Sequence, residues 1–599
     1  MQLKINGKTL SGRPGQTILE VALENGIKIP ALCHHPDLEI KANCRLCLVE
    51  IKGRDRLATA CSTPAQAGME VSSDSPRVKR ARATNLELIL GAHTKKCAIC
   101  LSIHDCELLR LARTYKVKTD RLTERKKARK TYRFANAVEI DGSQCIDCQN
   151  CVEACARQGI NYLKVAGAGS GQEIVPDRES GNACVYCGQC ALHCPAASAQ
   201  EVPAWPAVLA LLKDKTKITI AQFAPSIRVS LGEEFGWPPG VNYEGQIYTV
   251  LKKLGFQHVI DVNFGADITT MTEAAELLER LGDKRAAWPL MTSCCPAWVA
   301  YAEYYHPELL PHLTTARSPH IHSAGALKSY WAKQHKIDPK QIRVVSIMPC
   351  TAKKYEAARP ELKLHGQPLV DAVLTTRELA YLIKRQGIDF KKLAPSSGDK
   401  LFNLGSGAAA IYGASGGVME SALRTAVALA SGESVNKKPD RSAKSRQDPS
   451  NQRLEFREVR GLAGFKEATV KVGRRQLRVG VVNGLGNFHR LLPQLKHYHY
   501  IEVMSCPGGC IGGGGQPLPT TAAIRAKRLA GLYEIDASRS VRRAHENQAM
   551  LTYYEWVKDR HLGAQLLHTK FKRSRGSLLS TVKPGKESLF NLWKTPARP

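Results

Sequence analysis

The sequence predicts a multidomain protein in which small α+β domains precede a large C-terminal α/β domain with parallel sheets. Its 599 residues are too many for one ordinary hydrophobic core. The 20 cysteines form tight groups, most of them within the first 200 residues, where short apolar segments alternate with turn residues. From Lys217 onward, apolar runs end in loops and precede helical patterns, which is typical of parallel sheets covered by helices. These runs are KITIAQFAPS, HVIDVNFGAD, PLMTSCC, RVVSIMPC, LRVGVVNGLG and YIEVMSCPGG.

The composition is that of an ordinary globular chain, with 43% hydrophobic residues. No stretch approaches the roughly 18 uncharged apolar residues of a membrane span. The start, MQLKINGKTL, lacks the apolar segment of a signal peptide, so we expect a cytoplasmic protein without a membrane span. Disulfide scaffolds belong to small exported domains, and metal ligation therefore accounts better for the cysteine groups.

The first cysteine group lies within the first 80 residues, which predict a small mixed sheet with one helix. Cys33, Cys44, Cys47 and Cys61 have the spacing Cys-x10-Cys-x2-Cys-x13-Cys. A zinc site is the alternative, but zinc typically uses two close pairs of ligands. One close pair with two distant thiolates favours a 2Fe-2S centre.

A second group follows a predicted helix that begins at Ser75-Pro76 and ends at Gly91. It has three cysteines and one histidine within fourteen residues: His93, Cys97, Cys100 and Cys106. Alone, this pattern is also compatible with a zinc site of three cysteine ligands and one histidine ligand. Its position between a predicted 2Fe-2S domain and a ferredoxin-like repeat favours a 4Fe-4S cluster with one histidine ligand, whose neutral imidazole would alter the charge and potential of the cluster.

The third group is an internal repeat, CIDCQNCVEAC at 145–155 and CVYCGQCALHC at 184–194. Two runs of Cys-x2-Cys-x2-Cys-x3-Cys form the two-cluster ferredoxin pattern, in which the fourth cysteine of each run binds the other cluster. We therefore predict two 4Fe-4S clusters. One would use Cys145, Cys148, Cys151 and Cys194, and the other Cys184, Cys187, Cys190 and Cys155. Pro195 follows the last cysteine as the pattern requires, whereas Ala156 follows Cys155.

The five remaining cysteines lie in three segments, TSCCPAW at 292–298, MPCTAKKYE at 348–356 and EVMSCPGGCIGGGGQP at 502–517. These segments resemble, nearly letter for letter, the three signature segments of FeFe-hydrogenases. With the accessory domains, the resemblance covers essentially 1–570. The chain looks most like family members with a 2Fe-2S domain at the front, including the catalytic subunits of NAD(P)-linked complexes. The resemblance implies an enzyme that reversibly interconverts two protons and two electrons with dihydrogen.

The resemblance also implies the domain order and the cofactors. It places a β-grasp, plant-ferredoxin-like 2Fe-2S domain at 1–80, a small 4Fe-4S domain with one histidine and three cysteine ligands at 81–132, a bacterial-ferredoxin-like domain with two 4Fe-4S clusters at 133–205, a two-lobed α/β catalytic domain at 206–570 with a basic insertion at 431–453, and a basic tail at 571–599. The catalytic domain would hold the H-cluster, a 4Fe-4S cluster linked to a di-iron centre with CO and cyanide ligands. Dedicated maturation proteins would supply the di-iron part. We expect the tail to be poorly structured.

Carried over position by position, the resemblance gives a role to each of the last five cysteines. Cys295, Cys350, Cys506 and Cys510 would hold the 4Fe-4S part of the H-cluster, and Cys510 would bridge to the di-iron part. Adjacent side chains in an extended segment point opposite ways, so we expect Cys294 to be a free thiol beside the cofactor. The matching cysteine of the family passes protons to the di-iron site. An inert buried thiol is the alternative.

A proton donor needs a route from solvent, and the family's route falls on a predicted helix and a hydroxyl beyond it. Glu273, Glu276 and Arg280 lie three and four residues apart on one helical face. Without the resemblance they would be read as an ordinary solvated stripe. The hydroxyl relay falls on Thr314, where serine is commoner in the family, and the hydroxyl is kept.

The family's contacts with the di-iron site match five positions, Pro225, Ser226, Met348, Lys353 and Met504. The lysine and the serine can donate hydrogen bonds to anionic cyanide ligands, and the methionines would shape an apolar pocket, although methionines are more often ordinary core residues. His320 stands where the family usually has glutamine. This titratable group could alter hydrogen bonding and pH dependence beside the site.

The excess of 86 Lys and Arg over 54 Asp and Glu gives a net charge of +32, only partly offset by thiolate-bound clusters. The basic stretches at 113–133, 437–453 and 570–598 contain few aromatic residues that could stack on bases and no nucleic-acid motif, so we expect no nucleic-acid partner. A basic face would steer an acidic electron carrier such as ferredoxin, although any single stretch could be plain solubilising surface.

Three other functions are compatible with parts of the sequence. A catalytic subunit of an NAD(P)-linked or electron-bifurcating complex would take electrons from a flavin-bearing partner, since GLGN at 484–487 lacks the glycine spacing of a dinucleotide fingerprint. A non-catalytic sensor or iron-sulfur assembly factor would lack the relay cysteine or the accessory domains. A fragment of a respiratory NADH dehydrogenase would share only the front 200 residues or so, without the three C-terminal segments.

Overall fold

The computed structural model describes residues 1–91, 93, 97, 100–118, 129–399, 402, 405–432, 455–459, 464–574, 576 and 579–582. Residues 433–453 of the predicted basic insertion lie outside this part. Among the described helices, none is both long and apolar enough to cross a membrane.

The first domain is a five-stranded mixed sheet with one helix, as the sequence predicts. Its elements are β1 Gln2–Ile5, β2 Lys8–Ser11, α1 Ile18–Glu24, β3 Leu48–Ile51, β4 Ala58–Thr59 and β5 Glu70–Ser72. The sheet order is β2-β1-β5-β3-β4, and the pairing of β1 with β5 is parallel. Thr17 and Glu20 form a capping box at the start of α1, which satisfies backbone N–H groups that have no partner within the helix.

Two helices follow, α2 Pro76–Leu90 and α3 Glu107–Thr114. The predicted start of α2 is confirmed, because the Ser75 hydroxyl accepts from the Val78 N–H and proline occupies the first turn. Gly91 ends this helix in a right-handed conformation (φ −52°). The buried Arg82 of α2 donates to the carbonyl groups of Leu46 and Leu48, and these bonds attach the helix to the first domain.

The cysteine repeat lies on a third unit, in which each cysteine run leads into a short helix. Its elements are β6 Thr131–Phe134, β7 Val138–Asp141, α4 Asn150–Arg157, β8 Leu163–Ala166, β9 Glu173–Pro176, α5 Gln189–Leu192 and β10 Ala199–Glu201. The expectation of a poorly structured tail is wrong in one place, because β22 Leu579–Val582 pairs antiparallel with β6. The outer edge of β6 has unpaired backbone groups, which another strand can satisfy.

The remaining chain forms two sheets covered by helices. One sheet is entirely parallel in the order β12-β11-β14-β17, with β11 Ile218–Phe223, β12 His258–Asp261, β14 Ile342–Met348 and β17 Ala372–Thr375. The other has the order β13-β21-β20-β19-β18, with β13 Leu290–Met291, β18 Arg457–Glu458, β19 Phe465–Val472, β20 Arg475–Asn483 and β21 Tyr500–Met504. A small hairpin is formed by β15 Lys363–Leu364 and β16 Gln367–Pro368.

All six predicted apolar runs contain strands, and the prediction of parallel sheets is confirmed for β11, β12, β14, β17, β13, β21 and β20. The antiparallel strands β18 and β19 were not predicted. In β19 buried and exposed positions are mixed rather than continuous, because the strand lies near the edge of its sheet.

The helices of this part cover both sheets. They are α6 Trp205–Lys213, α7 Glu244–Lys253, α8 Asn263–Gly282, α9 Pro296–Tyr305, α10 Pro319–Ala326, α11 Ala332–Gln334, α12 Ala352–Ala357, α13 Thr376–Arg385, α14 Gly407–Ala410, α15 Gly417–Ala430, α16 Leu485–Leu491, α17 Ala522–Ser538, α18 Gln548–Asp559 and α19 Gly563–Leu566. Helix α8 is buried along most of its length.

Candidate active site

A cavity lies where strands of the two sheets end, which is where open α/β sheets place their ligands. Cys350 follows β14, Cys506 follows β21, and Cys295 is the residue that precedes α9. Together with Cys510 these residues line one cavity. Three loops far apart in the chain therefore bring four thiols to a common site.

The loop between Cys506 and Cys510 requires glycine at position 509. Gly509 has φ +87°, in the left-handed region, and a Cβ atom there would lie 2.5 Å from the backbone nitrogen of Ser415. Only glycine tolerates both the backbone conformation and this close approach. The glycine-rich segment thus lets the loop turn against the chain before α15.

The chemistry of these four thiols fits a multi-iron group. Burial raises the pKa of Cys506, and the neighbouring Cys350 and Cys295 raise it further. The same causes raise the pKa of Cys510. Four thiolates in a buried site repel one another, so they need a bound cation to be stable as ligands, and iron in a cluster supplies it.

Two buried hydroxyl groups on the cavity wall have no hydrogen-bond partner among the described residues. They are Ser226 Oγ and Ser505 Oγ. Buried donors without partners are costly, so both hydroxyls fit a polar or anionic group held in the cavity. Ser226 was predicted. Ser505 was missed, although it stands directly before Cys506 in the third signature segment.

Lys353 lines the cavity and is fixed by two hydrogen bonds. Its ammonium group donates to the Cys294 carbonyl (3.0 Å) and to Glu356 (2.7 Å). Although burial opposes ionisation of Glu356, the charge of Lys353 and the hydrogen bond from His320 lower the pKa of this carboxyl to about 2. A carboxylate and an ammonium group thus face each other at neutral pH, and the lysine is presented to the cavity as a charged donor.

His320, the departure from the family pattern, also lines the cavity and supports Lys353 indirectly. Its Nε2 lies 2.7 Å from Glu356 Oε2, and its Nδ1 lies 3.1 Å from Ser346 Oγ. Burial lowers the pKa of His320, which favours the neutral ring with the proton on Nε2. The histidine therefore donates to Glu356. Pro225, Met348 and Met504 complete the predicted set, and all three line the cavity.

Cys294 is buried and lines the same cavity as Cys295. Cys295 has an extended backbone and is the last residue before α9, and the prediction that Cys294 stays a free thiol beside the cofactor remains a prediction. Burial raises the pKa of the Cys294 thiol, and the charge of Glu273 raises it further. The thiol is thus held protonated beside a carboxyl group, as a proton donor requires.

Glu273 is a fully buried carboxyl group on α8. The Tyr500 hydroxyl donates to its Oε2 over 2.9 Å, and its Oε1 has no partner among the described residues. Burial raises the pKa of Glu273 to about 8, and the nearby carboxylates of Glu276 and Glu502 act in the same direction. This group carries a proton at neutral pH and can release it within the physiological range.

Glu276, one turn further along α8, accepts hydrogen bonds from the backbone N–H and the hydroxyl of Thr315. Burial opposes ionisation of Glu276, but hydrogen bonds from His568, Thr315 and Thr314 lower its pKa. Thr314 was predicted and Thr315 was missed. Arg280 donates to three backbone carbonyl groups and lies beyond the two glutamates on the same helix.

Glu502 is a further buried carboxyl group that the sequence did not single out. Burial raises its pKa to about 7, while the N–H groups of Gly416 and Met419 at the start of α15 donate to it. Its charge also affects the pKa of Cys294 and Glu273. The signal was present in the sequence, because Glu502 opens the third signature segment.

In the front domain, the four predicted ligands converge. The sulfur atoms of Cys47 and Cys61 lie 3.3 Å apart, and the Cys44 N–H donates to Cys33 Sγ over 3.4 Å. The pKa of Cys61 is raised most by the hydrogen bond from Cys47 and next by burial. The charges of the other thiols, Cys33 and Cys44 among them, raise it further. One compact group of four buried thiols fits a small iron-sulfur centre.

His93 is buried, and its Nδ1 lies 2.9 Å from the carbonyl oxygen of Gln144. This contact orients the ring, and a backbone carbonyl at one ring nitrogen is the usual arrangement of a histidine that binds a metal through the other. Cys97 and Cys106 interact electrostatically with Cys100. The predicted group is thus partly assembled among the described residues.

The eight cysteines of the repeat form two groups. The pKa of Cys151 is raised by burial and then by the charges of Cys148, Cys145 and Cys194. The pKa of Cys190 is raised by burial and then by the charges of Cys187, Cys184 and Cys155. The structure thus groups the fourth cysteine of each run with the other run, as expected for two clusters with crossed ligands.

The second of these groups meets the cavity loops at a very close backbone contact. A Cβ atom on Gly514 would lie 2.5 Å from the Cys187 carbonyl oxygen. Cys187 interacts electrostatically with Cys350 and Cys295. Glycine at 514 therefore allows the repeat to approach the cavity cysteines.

We expect Gly514→Ala to lower turnover with a one-electron donor by about tenfold or more, because the added methyl group pushes Cys187 away from the cavity. Dihydrogen evolution from reduced methyl viologen, normalised to iron content, measures the effect. Gly282→Ala is the matched control, since a Cβ atom there meets nothing within 4 Å. Equal turnover in the two variants would show that this contact is unimportant for electron supply.

Family comparisons match the chain along most of its length. Residues 217–514 match the model of the iron-only hydrogenase large subunit, C-terminal domain. Residues 1–76 match a 2Fe-2S iron-sulfur cluster binding domain, 82–121 the iron-sulfur binding region of NADH-ubiquinone oxidoreductase-G, and 144–198 a 4Fe-4S dicluster domain. Residues 522–574, within the predicted catalytic domain, match the iron hydrogenase small subunit.

Two curated relatives align over nearly their whole length. The NADP-reducing hydrogenase subunit HndD of Solidesulfovibrio fructosivorans is 40% identical, over 96% of this chain and 99% of the relative. Iron hydrogenase 1 of Clostridium pasteurianum is 36% identical, over 95% of this chain and 99% of the relative. Among solved structures, a variant of the [FeFe]-hydrogenase HydA1 from Chlamydomonas reinhardtii is 34% identical with a TM-score of 0.53, over 62% of this chain and 98% of that chain.

The chain is therefore a multidomain iron-sulfur oxidoreductase that belongs to the iron-only hydrogenase family. Its reaction is the reversible interconversion of protons and electrons with dihydrogen. Within the family it is a form with an N-terminal 2Fe-2S domain and further 4Fe-4S domains ahead of the catalytic region.

Proposed function

We propose that protons and electrons reach the cavity from opposite sides, the protons through α8 and the electrons through the cysteine repeat. The observation that carries this proposal is that one cavity contacts both systems. Cys294, beside Glu273, forms part of its wall, and Cys350 and Cys295, beside Cys187, form another part.

Cys295, Cys350, Cys506 and Cys510 are proposed to bind the 4Fe-4S part of the H-cluster. When bound, the H-cluster supplies the redox-active iron at which protons are reduced or dihydrogen is split. The residues around it do the rest. Lys353, Ser226 and Ser505 would donate hydrogen bonds to its anionic ligands, and Pro225, Met348 and Met504 would exclude water.

The proposed proton route uses Glu276, Thr314, Glu273 and Cys294. Three features support it. Glu273 is buried and carries a proton at neutral pH, Glu276 is ionised and close to Thr314, and the Cys294 thiol is protonated beside Glu273. A proton can thus pass between neighbouring groups that differ in proton affinity. Arg280 would act by its charge near the outer end.

Electrons are proposed to have two entries that converge on one cluster. Cys44 of the front group affects the pKa of Cys148, which supports short distances between the 2Fe-2S centre and the first cluster of the repeat. Cys194, in the same cluster, affects the pKa of Cys100 in the His93 group. Both outer centres would therefore feed the cluster of Cys145, Cys148, Cys151 and Cys194, and the second cluster would pass electrons to the H-cluster.

The electron partner is proposed to be an acidic carrier such as ferredoxin, which the net charge of +32 would attract. A second candidate is a flavin- or NAD(P)-binding hydrogenase subunit, and the 40% identity to an NADP-reducing hydrogenase subunit favours it. Maturation proteins are needed to supply the di-iron part, and the cytoplasm stays the proposed location.

Expression together with the maturation machinery tests the whole proposal. We expect dihydrogen evolution from reduced methyl viologen only when the machinery is present, and iron sufficient for one 2Fe-2S and four 4Fe-4S clusters plus the di-iron unit. Iron at this level without activity would contradict the proposed H-cluster site. Co-purification of a flavoprotein would identify the second class of partner.

A further inference from the structure

The outer end of the proposed proton route meets a histidine that sequence analysis did not single out. The side chain of His568 is 40% exposed, and its Nδ1 lies 2.7 Å from Thr315 Oγ1 and 3.3 Å from Glu276 Oε1. The Thr315 hydroxyl in turn donates to Glu276, which is largely buried. The partly exposed imidazole, the hydroxyl and the carboxylate therefore form one continuous hydrogen-bonded chain.

The fold holds His568 in this position by backbone bonds on both sides of it. The Arg317 N–H donates to the Leu567 carbonyl (2.9 Å), and the Thr569 N–H donates to the Thr315 carbonyl (2.8 Å). Ala316 and His568 form a β-bridge between these bonds. The segment that carries the histidine is thus paired, by backbone hydrogen bonds, with the residues that follow Thr314.

We propose that His568 is the group that exchanges protons between solvent and Glu276, with Thr315 as the intermediate hydroxyl. This inference rests on the proposed proton route and extends it to the surface. His568 does not touch the cavity, so it acts through Glu276. It belongs to the segment matched by the small subunit family, which would therefore supply part of the proton route.

The transfer balances at each atom. During dihydrogen formation, a solvent acid protonates the exposed side of the ring and gives an imidazolium. The Nδ1–H bond then breaks as Thr315 Oγ1 gains that proton, and the hydroxyl proton of Thr315 passes to Glu276. The product is a neutral imidazole and a protonated Glu276, and exchange with solvent resets the ring. Dihydrogen oxidation runs the same steps in reverse.

The charged and titratable groups around His568 leave it as the suitable exchanger. Arg280 is bound to backbone carbonyl groups and cannot release a proton at neutral pH, although burial lowers its pKa. Arg317 donates to the His568 carbonyl. His322 is fully buried, and burial lowers its pKa to about 3. Histidine is the side chain that exchanges protons most readily near pH 7, and Glu276 is the acceptor within reach.

The first test compares His568→Gln with the wild type. We expect turnover in dihydrogen evolution to fall by about tenfold at low buffer concentration, less than the loss of a buried relay group, because solvent can still reach Glu276 slowly. The KM for the electron donor stays unchanged. Added imidazole restores the turnover of His568→Ala. His561→Gln is the matched control, an exposed histidine in the same segment that should behave as wild type.

A second readout measures the reactivity of His568 directly. Diethyl pyrocarbonate modifies neutral imidazole, and peptide mass spectrometry gives the rate at His568 as a function of pH. We expect the pH dependence of this rate to coincide with that of turnover in the wild type. We also expect Thr315→Val to lower turnover as much as His568→Gln does. The double variant should show no further decrease, because both residues act in one chain.

His568→Gln could have the turnover and pH profile of the wild type while Cys294→Ala and Glu273→Gln are inactive. This result would refute the role of His568 and leave intact the inner route, which runs from Glu276 to Cys294. Full activity in Glu273→Gln would instead refute the inner route. The two failures are therefore distinguishable.

Discussion

Cys294→Ala should lower dihydrogen evolution by at least about 100-fold, since loss of a general acid in direct contact with the reacting centre costs roughly 10²–10⁴. The thiol lines the cavity, interacts electrostatically with Glu273 and is not assigned to iron binding. Alanine removes the transferable proton but leaves the four predicted ligands in place. Activity with reduced methyl viologen and iron content, measured on the same sample, check the expectation.

The iron content is the internal control for this variant. It should equal that of the wild type, whereas Cys350→Ala should lose iron as well as activity. Normal turnover in Cys294→Ala would show that protons reach the cavity by another group. Loss of iron together with activity would mean that Cys294 supports the cofactor rather than the proton.

Glu273→Gln should also lower activity by about 100-fold or more, because the amide keeps the shape and the hydrogen bond from Tyr500 but cannot carry the proton. Its effect on stability has the opposite sign. Burial raises the pKa of Glu273 from 4.5 to about 8, so between these values the unfolded chain loses this proton while the folded protein retains it. Ionisation of the unfolded state therefore destabilises the wild type progressively from about pH 4.5 to pH 8.

Glutamine removes this destabilisation. The thermal midpoint of Glu273→Gln relative to the wild type should rise as the pH increases from 5 to 8, and should not change further above that range. Glu279→Gln, an exposed residue of the same helix, is the control and should change neither activity nor the pH dependence of stability. A pH-independent difference in thermal midpoint would show that Glu273 is not held protonated in the folded protein.

Much of the architecture follows from local sequence features. Strand-length apolar runs that end in loops predict parallel sheets, because both faces of such strands are buried under helices, and β11, β12 and β14 have this pattern. The antiparallel β19 was not recognised, since its buried positions are mixed with exposed ones. The pairing of β22 with β6 joins segments more than 400 residues apart, and no local pattern reports such a contact.

The candidate site divides in the same way. Cysteine spacing predicts the ligand groups of the clusters, because ligands of one cluster lie close together in the chain or repeat in a fixed order, and the order of the groups along the chain favours iron-sulfur clusters over zinc. Ser505 and Glu502 lie within a signature segment, yet the sequence does not reveal their chemistry. The structure shows that the Ser505 hydroxyl is buried without a partner among the described residues. It also shows that the Glu502 carboxyl is buried beside the start of a helix. Thr315 and His568 are ordinary in sequence and become neighbours only when the chain folds.

By itself, the sequence determined the family, and it predicts the cysteine ligand sets and the order of the domains, since these depend on residue type and on short spacings. The tertiary structure decided which carboxyl groups hold protons and which histidine reaches solvent. A pKa depends on burial and on charges within a few ångströms, and both arise from segments that are distant in the chain. The proposed proton route therefore depends on the fold, whereas the predicted metal ligands depend largely on the sequence.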